Sequence, residues 1–429
     1  MGGLIVAFVL LRGRPASAPA QSAGLAPTAA AVRYKFPLTA VEDSVDTEST
    51  IATLEARNKA MPSPFDAAEL ADLYFSRAML RGDRKDYAAS EAAAKQSLEL
   101  LRKPNGAAVT LAKIRNAHHE FREAIELANE AIASKPGPQA YIVIATARLA
   151  LGELAQAADA AQMAVTLKPD TNGYSMRALV LQAQGRDGEA AIDFARAVAA
   201  EQPGDKQAAA RLRALWARFL IRRGEYAGAA MVLDEALRIV PQFPLALAQR
   251  GELALRTGKA KDAAKLFEQA FEQARQVRYL MDEARAQELA GDRTGAAALR
   301  TQIETIVRGE LASDGLGHRL DLIEVLTDSG NAPALAEAIK LGREELLRRG
   351  SFEARFQVAR ALLRAGNLDE AALQIQAALA TGAREAQGFE LAAQVEARRG
   401  NADRAALYTR EADKLDPARA GWRALGLTP

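Results

Sequence analysis

The chain contains no cysteine and only three histidines, His118, His119 and His318. The first absence removes disulfides, thiolate metal sites, cysteine nucleophiles and a lipid-modified bacterial N-terminus together. The second argues against a histidine-rich metal site, and each histidine reads as a solvated or turn residue. Aromatics make up only 5% of the 429 residues, so a core has to be assembled largely from Ala, Leu, Ile and Val. Charge of one sign is missing too. Lys plus Arg number 56 against 54 Asp plus Glu, a net +2, which provides no global field for nucleic acid. There is no Walker-type phosphate loop, no GxSxG elbow and no HExxH. Acidic pairs such as Glu42-Asp43 and Glu344-Glu345 fall in a polar tail or among basic neighbours, where a solvated face is the plain reading and a glycosidase pair is not. No catalytic residue, no metal site and no cofactor are expected, and the chain does not read as an enzyme.

Long hydrophobic runs are scarce as well. The stretch Gly2 to Leu11 is ten residues long, about 15 Å of helix, roughly half a bilayer core. Arg12, Arg14 and Ala16-Ser17-Ala18 follow it. This suits the apolar centre of a secretion signal or a clipped anchor, although no Lys or Arg precedes the run. Export or inner-membrane anchoring through residues 2–11 is therefore expected, with a cytoplasmic location as the alternative. Residues 1–14 form the leader, and 15–65 a linker and N-terminal cap segment. Within it, Pro15 to Ala31 is nearly all Ala, Pro, Ser and Gly, Val32 to Thr50 is expected extended or disordered, and a short helix is expected around Ile51–Leu54, ending before Met61-Pro62.

What the chain has in abundance is a repeated spacing of small residues. Between Arg211 and Arg275 one pattern occurs twice. The first copy is Trp216-Ala217, Leu220, Gly224, Tyr226, Ala229, Leu233, Ala236, Pro241; the second is Arg250-Gly251, Ala254, Gly258, Ala260, Ala263, Phe267, Ala270, Arg275. Each position of the second lies 34 residues after its counterpart, a period of stacked helix-turn-helix units. Small residues let two antiparallel helices approach where they cross, and Leu220, Leu233, Phe267 and Trp216 fill the space beside the crossing. Gly224 and Gly258 stand where the first helix stops in a left-handed residue. The pattern resembles the tetratricopeptide repeat, and that resemblance implies an all-α solenoid of about ten stacked antiparallel helix pairs in a right-handed superhelix.

Weaker copies flank the central two. They run through Leu70 to Tyr87, Leu111 to Pro136, Tyr141 to Pro169 and Tyr174 to Pro203, and after the centre through Leu280 to Ile303, Val358 to Ala378 and Phe389 to Pro417. His119 takes the turn slot of glycine in the second. The first turn carries about four extra residues, Asp83 to Asp86, and the Gly185–Gly224 spacing rises to 39, an insertion placed around Gln202–Asp205. One subarray is expected over 66–308, a second over 318–417 and a capping helix over 418–429. Gly309 to Gly317 interrupts the period and is expected to be a hinge, residues 309–317.

The resemblance implies binding of an extended peptide or partner helix along the inner wall, which the first helix of each pair lines. Inner positions here include Gln182, then Arg211, Arg218 and Arg222 at i, i+7 and i+11, then Arg256, Arg278 and Arg285. A stripe of guanidinium groups can hold carboxylates bidentately. The expected role is a protein-protein interaction scaffold in envelope assembly or secretion, gripping an acidic or C-terminal carboxylate segment of a protein partner. A self-associating structural solenoid and a cytoplasmic adaptor are the alternatives. Trp216 reads as core, and the Lys–Asn pair by which some relatives recognise chaperone tails is absent.

Overall fold

A computed structural model describes residues 25–38, 47–101, 105–314 and 319–425. Among these the chain forms 23 helices, α1 to α23 in order, and no strand. Twenty of them make ten antiparallel pairs, from α3 (Pro64–Arg81) with α4 (Arg84–Leu100) to α21 (Ala386–Arg398) with α22 (Ala402–Leu415). The local rules are those of the spacing. The first helix of most pairs ends in a left-handed glycine, with φ of 69° at Gly82, 74° at Gly224 and 82° at Gly366. His119 adopts the same conformation at φ 62°, so the turn survives without glycine. Its ring stands edge-on to Phe121 with centroids 5.6 Å apart.

Within each pair the alanines sit at the crossing: Ala217, Ala229, Ala236, Ala263 and Ala270 are fully buried. Trp216 is core, stacked on Phe194 with centroids 5.8 Å apart and planes 9° from parallel. First helices of consecutive pairs pack on each other, as α5 (Gly106–Ala117) does on α7 (Pro138–Leu151) and α11 (Lys206–Arg222) on α13 (Pro244–Arg256), so they form the inner side of the curve.

Several expectations change. The extra residues after Gly82 do not lengthen the turn; Asp83 caps α4, which starts at Arg84. The insertion near Gln202 is shared between the loop after α10 (Asp187–Ala199) and α11, itself 17 residues long. Gly309 to Asp314 continue α16 (Arg293–Asp314), and residues 315–318 lie outside the described ones. One apolar cluster runs from Val277 and Ile303 through Leu322 to Val358 and Val395, so the pairs on both sides of that segment share a core. The helix expected near Ile51 is longer, α2 (Thr47–Ala60). The apolar leader lies outside the described residues, and among those described no helix is long and apolar enough to cross a membrane.

The largest departure concerns residues 25–38. They form a docked arm containing the short α1 (Ala29–Val32), which packs against α10 and α12 (Tyr226–Ile239). Val32 and Tyr34 are each 3% exposed, while Arg33 and Lys35, which alternate with them, face solvent. Arg213, fully buried, donates from Nε to the Val32 carbonyl at 2.7 Å and pairs with Glu201; the Tyr34 N–H donates to Glu235 at 2.6 Å. The arm thus seats where the 39-residue spacing loosens the stack between the fourth and fifth pairs.

The curve closes on itself. Turns of the early pairs touch junctions of the later ones in sequence order: Gly82 meets Arg275, Gly152 meets Ser351, Gly185 meets Arg384 and Gly224 meets Ala418. Backbone hydrogen bonds and ion pairs cross the same seam, including Arg84 to Glu310 at 3.6 Å. The second superhelical turn therefore rests on the first, with the first helices of the pairs on the inner side.

Candidate functional site

The inner side of α11 presents Arg211, Arg218 and Arg222 as one stripe, because residues seven and eleven apart return to the same helical face. Their partners differ sharply. Arg222 pairs with Glu385 of the overlying turn at 3.3 Å. Among the described residues, neither Arg211 nor Arg218 forms a hydrogen bond or ion pair, and the Nε of Arg218 is buried without a hydrogen-bond acceptor. Burial, reinforced by the nearby Arg222, pulls the Arg218 guanidinium down to about 10, which still leaves it charged at neutral pH. Burial lowers Arg211 as well, against the phenols of Tyr87 and Tyr279, which face it from the first and seventh pairs.

The next pairs turn the wall acidic. Arg256 is bound to Glu252 at 2.7 Å on its own helix and to Asp416 at 3.2 Å across the seam. Arg278, on α15 (Val277–Leu289), bridges Asp282 at 3.1 Å and Glu324 at 3.0 Å, and these two acids hold it well above its ordinary range. Burial raises Asp282 to about 6, against the pull of Arg278. Burial also works against the charge of Glu252, but Arg256 and Arg285 outweigh it and keep this carboxylate low. Arg285 thus faces acids. Gln182 is 4% exposed, and its backbone carbonyl accepts from Arg223.

A continuous basic wall is therefore not what the chain builds. Arg222, Arg256 and Arg278 are engaged by carboxylates, two of them across the seam, and Gln182 is buried beneath the surface. Among the described residues Arg211 and Arg218 remain on the inner side without an ion pair, with Glu385 and Glu353 acting on Arg218 from farther off, and Arg285 likewise forms none. Sequence spacing located Arg211 and Arg218 but missed Asp282 and Glu324; the i, i+4 step from Arg278 to Asp282 was the available signal.

The tetratricopeptide repeat family matches residues 109–171 and 356–420. The chain carries tetratricopeptide repeats. Both matched stretches coincide with helix pairs of the stack, the first with α5 to α8 (Leu154–Leu167) and the second with α19 (Phe352–Arg364) to α22. No curated protein matches the sequence. Solved structures similar to this tetratricopeptide array include the human IFIT1 dimer with PPP-AAAA, at 16% identity, 86% of each chain covered and a TM-score of 0.48. A tetratricopeptide repeat protein from Parabacteroides merdae shares 15% identity over 64% of this chain and 98% of its own, with a TM-score of 0.40. PilW, a type IV pilus biogenesis factor, shares 19% over 46% of this chain and 91% of its own, with a TM-score of 0.39.

Proposed function

We propose that the protein is a non-enzymatic scaffold that holds an acidic or C-terminal carboxylate segment of a protein partner on its inner side, at Arg211 and Arg218. Tetratricopeptide arrays generally bind proteins or peptides, and the specific support is that, among the described residues, Arg211 and Arg218 form no ion pair while Arg222, Arg256 and Arg278 do. A desolvated cation with an unused N–H gains most from an anion brought to it. The apolar run Gly2 to Leu11, read in the sequence alone, supports a role at the cell envelope, in assembly or secretion.

Capture of proteins from native membranes by the full chain, compared with an Arg211→Glu/Arg218→Glu double variant, tests the reading. Loss of one set of partners while the helical circular dichroism is unchanged is the expected result. An amidated peptide from the captured segment should then bind more weakly than its free acid if the terminal carboxylate is the group held. Equal capture by wild type and variant overturns the assignment.

A further inference from the structure

The two edges of the superhelix are not equally covered. In the first turn of the stack each tip glycine named above lies under the second turn. In the second turn, Gly291, Gly366 and Gly400 have no neighbour among the described residues within 4 Å of where a Cβ would stand. The junction edge shows the reverse. Gly382, at a late junction, lies against Leu154, whereas Gly106, at an early one, has nothing within 4 Å. The early junctions also carry large apolar side chains in water, Met61 at 72% exposed, Phe65 75%, Leu100 45% and Leu167 42%; of the late junctions, the one after α18 (Ala332–Arg348) carries Leu347 at 90%.

Charge follows the same division. Arg222 and Arg256 stand two residues before their tip glycines and reach Glu385 and Asp416 in the turn above. Arg364 and Arg398 hold that same place in the last two pairs. Among the described residues no turn lies above them; they donate to the carbonyls of Thr327 and Leu363 in the preceding pair, each at 2.6 Å, and Arg364 also pairs with Asp328 at 3.7 Å. On the open junction edge, Asp170 is the N-cap residue of α9 (Thr171–Ala183), the place that Glu385 holds before α21.

We propose that the open tip edge of one molecule receives the open junction edge of a second copy of this chain, in the register by which the first turn receives the second. Arg364 and Arg398 would meet the junction edge that carries Asp170, and Phe65 and Leu100 would lose their water. The two edges differ, so the contact is heterologous: each added copy presents a fresh tip edge, and the assembly grows as an open stack.

Sedimentation velocity on the full chain over a wide concentration range tests this. Wild type is expected to pass beyond the mass of two copies. A Phe65→Glu/Leu100→Glu variant and an Arg364→Glu/Arg398→Glu variant should each remain monomeric alone. Mixed together they should form a one-to-one dimer and nothing larger, because each keeps one intact edge. Asn367→Trp, a bulky change at an exposed tip residue whose side chain makes no cap hydrogen bond, should reproduce the arginine variant if that one fails to fold. Wild type that stays monomeric, assembly that persists in both edge variants, or a mixture that does not pair would each overturn the proposal.

Discussion

The backbone N–H of Arg384 donates to the carbonyl of Ala183 at 2.9 Å, joining the last residue of α9 to the loop after α20 (Leu368–Ala380) one superhelical turn later. The Arg275 N–H does the same at 3.1 Å for Arg81, the last residue of α3. Terminal carbonyls of a helix have no partner within it. Here the following turn supplies one, so the groups that end the helices also set the pitch of the superhelix.

Gly224 and Gly366 separate the strength of that seam from ordinary turn strain. Both have φ near +80°, at 74° and 82°, and alanine at either should cost roughly 1–2 kcal/mol for the left-handed backbone alone. A Cβ at Gly224 would also lie 2.9 Å from the Ala418 Cβ, whereas Gly366 has nothing within 4 Å. Gly224→Ala is expected to lower the urea midpoint more than Gly366→Ala and to enlarge the radius of gyration in solution scattering. Equal effects of the two would show that the seam adds little.

Arg213→Ala should release the arm. The substitution leaves the Glu201 carboxylate, 8% exposed, without its guanidinium partner and removes the donor to the Val32 carbonyl. Breaking one side of such a buried pair costs about 3–5 kcal/mol. Trypsin should then cut at Arg33 and Lys35 well before the helical array unfolds. Protection equal to wild type would show that the arm is held by Tyr34 and its apolar neighbours alone.

Glu283 gives the fold a pH dependence of known sign. It is 7% exposed, and burial with Glu268 nearby raises it to about 7, while Gln287 donates to it at 2.8 Å. The folded state holds this proton more tightly than the unfolded chain, so its charge is a liability once the group ionises. Stability contributed by the protonated form is complete below the ordinary carboxyl range and is lost as pH rises through about 7. Glu283→Gln is expected to stabilise by on the order of 2 kcal/mol at pH 8 and by nearly nothing at pH 4, measured by denaturant unfolding at both.

Salt should act on the same seam. Arg222 with Glu385 is half exposed and screened, whereas Arg256 with Asp416 is buried. Raising ionic strength is expected to loosen the first and spare the second. Amide exchange in α11 should then accelerate with salt more than in α13; equal acceleration would argue that neither pair matters to closure.

The helix pairs were legible because each is a local matter: an alanine at a crossing and a left-handed residue at a turn leave their spacing in the sequence. His119 shows that geometry, and not glycine itself, is what the turn needs. The seam was not legible, since which turn meets which junction depends on small rotations accumulated over five or so pairs. That is why Arg222 and Arg256 read as open groove residues although their acids, Glu385 and Asp416, lie far along the chain. The arm escaped for a related reason. Val32, Tyr34, Phe36 and Leu38 alternate with period two, the signature of an extended segment with one buried face, but the seat between α10 and α12 exists only once distant pairs have stacked. Gly309 misled through composition: a glycine inside α16 weakens a helix and does not by itself end it.

Contact between successive turns has a kinetic meaning for any guest. Where turn rests on turn, as at Gly185 and Gly224, a loop of a folded domain meets packed backbone and cannot slip sideways between the coils.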